Sequence, residues 1–260
     1  MRILVTFAVE AEFAPWLALR KFQKRVLQPV PYAKGFEVYE AECGQNELWV
    51  LLTGMGPGFL SLPGALPLGM LAAKAGVEVA ISSGLAGSLR KEHQIQEVIV
   101  PRHIRTLRDA SGVSAHPDLL RLSEEHGAKI VDALLTSDRI VGSGEEKSRL
   151  GEFADAVDME SYRIMQEFAL ANLPAATIRA ISDESDEDLP MDFAECLTPQ
   201  GKVKPWPILR QLLRRPSSVV ALVRFGGRSR KAAAGLAQFL DSFVKDLTPQ
   251  TVSGSGMAAR

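Results

Sequence analysis

Cysteine is scarce in this chain: Cys43 and Cys196 are the two it has in 260 residues. Two cannot build a disulfide framework and their spacing is not that of a metal site. A reduced, cytoplasmic setting is therefore expected, with both read as small core residues. Four histidines, at positions 93, 103, 116 and 126, show no ligand spacing. No Ser-His-Asp arrangement is evident either, so metal-dependent and acyl-transfer chemistries rank low. Neither sign of charge is in excess, with 30 Lys and Arg against 31 Asp and Glu, and the basic surplus that nucleic acid demands is missing. Apolar runs are short as well. None reaches the roughly 20 residues that span a bilayer. The opening MRILVTFAVEAEF is broken by Glu10 and Glu12, so neither a transmembrane helix nor a signal peptide is expected. No internal repeat is visible.

What the sequence does contain is an alternation. Short β-rich runs (RILVTFA, LWVLLTGMG, VAISSGLAG, EVIVP, AATIRAISD) each give way to glycines or acids and then to a helical pattern, the signature of an α/β domain. Strands apolar throughout, such as LWVLL, suit a sheet covered on both faces. Helices are predicted over 61–75 and 159–171, the latter with Ile164, Phe168 and Ala171 at helical spacing. One domain is expected over 1–247, and the linker-like tail 248–260 reads as disordered.

Open α/β sheets bind ligands at the carboxyl ends of their strands. Four such ends stand out: Val9-Glu10-Ala11-Glu12, Gly54-Met55-Gly56, Ser83-Gly84-Leu85-Ala86-Gly87, and Asp183. GMGPG lacks the third glycine of a dinucleotide loop and carries Pro57, so it reads as a close-packed turn rather than a cofactor site. In AVDMES, Asp158 and Glu160 stand two apart at the start of a helix and point in different directions. Asp158 is read as a cap for that helix and Glu160 as an anion favoured by its dipole. Residues 201–231 hold nine Lys or Arg and no acid. They form either a solvated helix pair or a basic, partly apolar surface able to rest on an anionic membrane.

Taken together and in order, AVEAEF (8–13), TGMG (53–56), SSGLAGSL (82–89), AVDMES (156–161) and RAISDESD (179–186) resemble the nucleoside phosphorylase and nucleosidase superfamily. That superfamily includes purine nucleoside phosphorylases and methylthioadenosine/S-adenosylhomocysteine nucleosidase. The resemblance implies a single α/β domain with a central mixed, twisted sheet flanked by helices. It also implies cleavage of a purine N-glycosidic bond with no metal or organic cofactor, and at least a homodimer. It assigns Asp183 to the leaving purine, which requires a raised pKa or a proton shared on binding. Glu160 would grip the ribose hydroxyls beside the apolar wall of Met159. Met55 and the backbone at Gly84, Ala86 and Gly87 would approach the ligand, and Ile140 and Val141 fall where the family contacts the base.

Hydrolysis or phosphorolysis turns on the nucleophile. Nucleosidases of the superfamily carry a Glu after the first strand that activates water, and Glu12 stands there. Bacterial phosphorylases use an Arg and a Ser at central-loop positions held here by Ser82 and Leu85. The balance favours water, with phosphate as co-substrate the alternative and a non-catalytic nucleoside binder the second alternative. The C-terminal part resembles the hopanoid-associated branch of the superfamily. That likeness implies a lipid-linked adenosine such as adenosylhopane as substrate, and peripheral contact with the inner membrane face through 201–231.

Overall fold

The computed structural model describes residues 1–27, 36–55, 67–190 and 218–252. Its strands are β1 (Arg2–Phe7), β2 (Gln23–Leu27), β3 (Phe36–Cys43), β4 (Asn46–Leu52), β5 (Val79–Ser88), β6 (Val98–Arg105), β7 (Val113–Ser114), β8 (Lys129–Thr136), β9 (Ala156–Asp158) and β10 (Ala175–Asp183). The helices are α1 (Glu10–Leu19), α2 (Leu68–Lys74), α3 (Pro117–Glu125), α4 (Gly144–Leu150), α5 (Ser161–Leu170), α6 (Ser218–Asp246) and α7 (Pro249–Val252). The α/β domain read from the sequence is present, and its central sheet is mixed, with parallel pairs such as β1–β4 and β5–β10 beside antiparallel ones such as β3–β4 and β5–β9.

The strand order is β10-β6-β8-β9-β5-β1-β4-β3-β2, and β10 also pairs with β5. Five strands therefore close on themselves, and β1, β4, β3 and β2 extend from the ring as an open sheet. β5 makes both possible. β10 accompanies one of its edges from Ala80 to Gly87. The other edge is shared in succession, β1 pairing Val79–Ser82 and β9 pairing Gly87–Ser88. Between those two partners no strand among the described residues pairs with the edge, and there the candidate site lies.

Alternation along β1 shows why the sheet is covered on both sides. Ile3, Val5 and Phe7 enter one core with Phe13 and Trp16 of α1 and Leu236, Leu240 and Phe243 of α6. Leu4 enters the opposite core with Ala72 of α2 and Ile164, Met165 and Phe168 of α5. Successive side chains of a strand point to opposite faces, so one apolar run supplies two cores. α1 and α6 are tied by Asp241, which accepts hydrogen bonds from Trp16 Nε1 at 3.0 Å and Arg20 Nε at 2.7 Å. Asn46 caps the end of α6 by donating to the carbonyls of Val244 and Leu247 at 2.7 and 2.8 Å.

Three expectations are refined. The helix expected over 61–75 is described from Leu68, immediately after Pro67, and residues 56–66 lie outside the described residues. The helix expected over 159–171 starts at Ser161, because Asp158 still pairs in β9 with Thr136 of β8. Of the tail expected to be disordered from 248, residues 249–252 form α7, with Val252 packed against the core, and 253–260 lie outside the described residues. Cys43 is buried, as expected, whereas Cys196 lies outside the described residues. So does 201–217 of the basic stretch. The remainder, 218–231, begins α6. Val220 and Val223 there are exposed, 66% and 70%, beside exposed Arg224, Arg230 and Lys231. No helix among the described residues is long and apolar enough to cross a membrane.

Candidate active site

The unpaired edge of β5 is occupied by a side chain. Glu12, in the first turn of α1, accepts a hydrogen bond on Oε1 from the Leu85 amide at 3.0 Å. Its Oε2 turns back to the amides of Ala8 and Val9 at 3.2 and 3.4 Å, which its own helix would otherwise leave unsatisfied. Capping and site-building are thus done by the two oxygens of one carboxylate. Gly84 permits the approach. Its φ is +149°, and a Cβ there would stand 3.0 Å from Glu12 Oε1, so no L side chain suits the position. Burial pushes the Glu12 carboxyl above its ordinary pKa, against the Leu85 amide, the nearby Arg179 cation and the amides of Val9 and Ala8, which pull it down.

Asp183 ends β10 on the other side of the same stretch. A Cβ on Gly87 would lie 2.8 Å from its Oδ2, and Asp183 is registered against Gly87 across a bulge after Ile181. The Ser182 hydroxyl lies 2.6 Å from Asp183 Oδ1 and 3.2 Å from the Ala86 carbonyl, and it can donate to one of them at a time. Asp183 is buried. Its Oδ2 meets Lys147 Nζ of α4 at 2.5 Å, a contact the sequence did not suggest.

Arg179, two turns of the pleat upstream, joins the two halves. It is buried and donates to Asp158 Oδ2 from Nε at 3.1 Å and from Nη2 at 2.9 Å, and from Nη2 also to Ser161 Oγ and Ser82 Oγ at 2.7 and 3.0 Å. Asp158 accepts in addition from the Ser161 amide at 3.2 Å and from Thr136 Oγ1 at 2.8 Å. It caps α5, as the sequence implied, and also buries the charge of Arg179. This network fixes the first turn of α5 and hence the position of Glu160, which immediately precedes it.

Met159 and Glu160 line a cavity of about 820 Å³ with Thr53, Gly54, Thr106–Asp109, Thr136–Arg139, Tyr162–Ile164 and Gln166. Most of these residues carry a polar group, although apolar atoms make up the greater part of the cavity surface. Asp109 accepts from the Tyr162 hydroxyl at 2.5 Å and from Ser111, and hydrogen bonds from Ser111, Tyr162 and Gly112 hold its pKa down at about 2. Glu12, Asp183, Gly84, Ala86 and Gly87 thus gather on β5, while Met159 and Glu160 face the cavity, whose lining does not include them. Met55 adjoins the lining residue Gly54. Ile140 is half-buried, and Val141 is spent in a core cluster with Leu89, Leu135 and Val157.

A second cluster joins Glu92, His93 and Asp155. His93 Nδ1 bonds Glu97 at 2.9 Å, and its Nε2 faces Asp155 Oδ1 at 3.6 Å, beyond hydrogen-bond range. Burial lowers the His93 pKa, but Asp155 and Glu97 outweigh it and the net direction is upward. Arg90 stands 3.2 Å from the same Asp155 oxygen. Arg90 at Asp155 and Lys129, 3.5 Å from Glu97, already face these acids, so the cluster reads as an ion network rather than a metal site.

The sequence profile of the phosphorylase superfamily matches residues 2–200. The chain belongs to the phosphorylase superfamily. Solved structures sharing the superfamily fold include the native futalosine hydrolase of Helicobacter pylori, with TM-score 0.69 and 21% identity over 95% of this chain and 98% of that one. The 5'-methylthioadenosine/S-adenosyl homocysteine nucleosidase of H. pylori, bound to butyl-thio-DADMe-Immucillin-A, gives 0.69 and 22% over 95% and 99%. The S-adenosylhomocysteine nucleosidase of Streptococcus pyogenes gives 0.69 and 17% over 95% and 98%. At these identities what is shared is the architecture. No curated protein matches the sequence.

Proposed function

We propose that this protein hydrolyses the N-glycosidic bond of a purine nucleoside. The observation that carries the reading is the meeting of two carboxylates from different elements, Glu12 and Asp183, at the Gly84–Gly87 stretch of β5, with Gly84 and Gly87 lying against them. Their contact points are three residues apart, roughly 10 Å along a strand. A separation of that order suits a sugar and a water held between an acid at the base and a base at the water. Breaking the bond leaves an oxocarbenium-like sugar, so one group must help the base depart and the other must raise water's nucleophilicity.

Glu12, enclosed and with its pKa raised, suits the second task, because a carboxylate that resists ionisation takes a proton from water more readily. Asp183 suits the first. Glu160 and the hydroxyl-bearing walls of the cavity it lines suit a polar ribose. Water is favoured over phosphate because Arg179, the buried cation near Glu12, is already committed to Asp158, Ser161 and Ser82.

Within that class we further propose adenine as the base, carried on a lipid-linked adenosine. The support is the basic, acid-free stretch 201–231 and, at the start of α6, Val220 and Val223 exposed beside Arg224. Those side chains suit a cytoplasmic enzyme, assembled as a homo-oligomer, resting on an anionic bilayer. Incubation with adenosine, inosine, 5'-methylthioadenosine and a lipid-linked adenosine, in phosphate-free and in phosphate buffer, tests the reading. Free base with ribose in phosphate-free buffer is the expected result. Ribose 1-phosphate appearing only with phosphate would replace hydrolysis by phosphorolysis, and nucleoside binding without turnover would make the protein a binder.

A further inference from the structure

Lys147 is the least expected feature of the site. The segment GEEKSRL reads as a solvated helix, yet Lys147 has no exposed surface. Gly144, one turn earlier, explains the packing: a Cβ there would come within 2.7 Å of the Asp186 carbonyl, so α4 lies directly against the chain that follows β10. From that face the ammonium reaches three oxygens, Asp183 Oδ2 at 2.5 Å, the Glu184 carbonyl at 2.8 Å and the Glu187 carbonyl at 3.0 Å. An ammonium has three N–H donors and no acceptor. All three are used, as burial of a charged amine requires.

Other charges packed around the pair are engaged elsewhere. Glu187 pairs with Arg228 of α6, Asp186 with Lys91, and Glu146 with Arg139, while Asp188 accepts from the Gly144 amide. Glu184 is exposed. Among the described residues, Asp183 and Lys147 therefore face one another as an isolated pair.

We propose that Lys147 is a positioning residue that also stores the proton Asp183 delivers, so that the two side chains act as one acid. This rests on the hydrolase reading above. As the C–N bond stretches, its electron pair goes to the base. The proton on Lys147 Nζ passes to Asp183, and the carboxyl passes a proton to the base nitrogen. Water adds its oxygen to the sugar carbon and loses a proton to Glu12. Lys147 ends as a neutral amine, and it recovers its proton while Glu12 loses one, both by exchange with solvent. Nucleoside and water have become sugar and protonated base, with nothing else consumed.

The test is the pH dependence of kcat/KM for base release. In the wild type, with an amine in the donor pair, the alkaline limb is expected well above the ordinary carboxylate range. In Lys147→Met, Asp183 must bind the proton alone, so the limb should move down by about two pH units or more. Activity at pH 8 should then fall about 100-fold or more, with most of it regained at low pH. Lys147→Gln, which can still donate to a backbone carbonyl but has no proton to deliver, should show the same shift if the Met variant does not fold. A uniform loss across pH with the limb unmoved makes Lys147 a folding residue and overturns the proposal. So does a wild-type limb in the ordinary carboxylate range, which needs no variant to observe. A wild type that releases no base from any nucleoside removes the hydrolase reading itself, and the proposal with it.

Discussion

Adding a single methyl group at Gly87 tests whether the position of Asp183 matters to a fraction of an ångström. The Cβ of Gly87→Ala would sit 2.8 Å from Asp183 Oδ2 and 3.4 Å from its Cγ. Ordinary contact begins at 3.4 Å, so Oδ2 would have to withdraw by roughly 0.6 Å. A long side chain could swing aside at little cost. Asp183 cannot, because Lys147 holds Oδ2 at 2.5 Å and the Ser182 hydroxyl holds Oδ1 at 2.6 Å. Overpacking of this kind costs about 1–3 kcal/mol, which in a chain of this size lowers the thermal midpoint by about 2–4 °C per kcal/mol. A misplacement near 1 Å costs about 100-fold in rate, so kcat/KM for base release should fall about 10- to 100-fold, mostly in kcat. Gly235→Ala in α6 supplies the control, since nothing lies within 4 Å of its added Cβ. It should leave activity intact and stabilise the helix by about 0.5–1 kcal/mol. If Gly87→Ala keeps wild-type kcat and midpoint, Asp183 is not held as described and the reasoning from close approach fails.

Arg179→Met should be the most damaging of the point changes considered, because it strands the Asp158 carboxylate in the interior. Breaking a buried pair from one side costs about 3–5 kcal/mol, readable as a lowered urea midpoint, and a loss under about 1 kcal/mol would contradict the buried network. Glu12→Gln should abolish hydrolysis and alter the pH dependence of stability in a definite sense. The folded state holds the Glu12 proton more tightly than the unfolded chain, whose carboxyl has a pKa near 4.5. Its contribution is therefore full below that value and is lost as pH rises through the folded pKa. The wild type should lose stability relative to Glu12→Gln as pH rises above about 4.5, and parallel curves would show that the carboxylate is not desolvated.

Much of this arrangement was legible from residue order. Apolar runs followed by glycines or acids located the strands and the strand ends where the candidate acids stand, and Asp158 did cap its helix. Lys147 was not legible. A lysine among Glu145, Glu146 and Arg149 has the pattern of a solvent face, and only the three oxygens brought to it by the chain after β10 make its burial tolerable. Arg179 was in view within RAISD but carried no assigned role, since its partners Ser82, Asp158 and Ser161 are distant in sequence. Val141, given to the ligand from the sequence, also packs in the core with Leu89, Leu135 and Val157. Closure of the ring was equally hidden, because it depends on which strands neighbour β5 and not on the composition of any one of them.

The break in pairing along β5 has a consequence for how such a site could be lost. Thr6 and Ser82 are the last partners on one side of the break, and Gly87 is the first on the other. An insertion that carried the first strand two residues further would zip the opening shut, satisfying the Leu85 amide with backbone and evicting Glu12. Every acid would still be encoded and the domain would still fold, yet the proposed reaction centre would be gone.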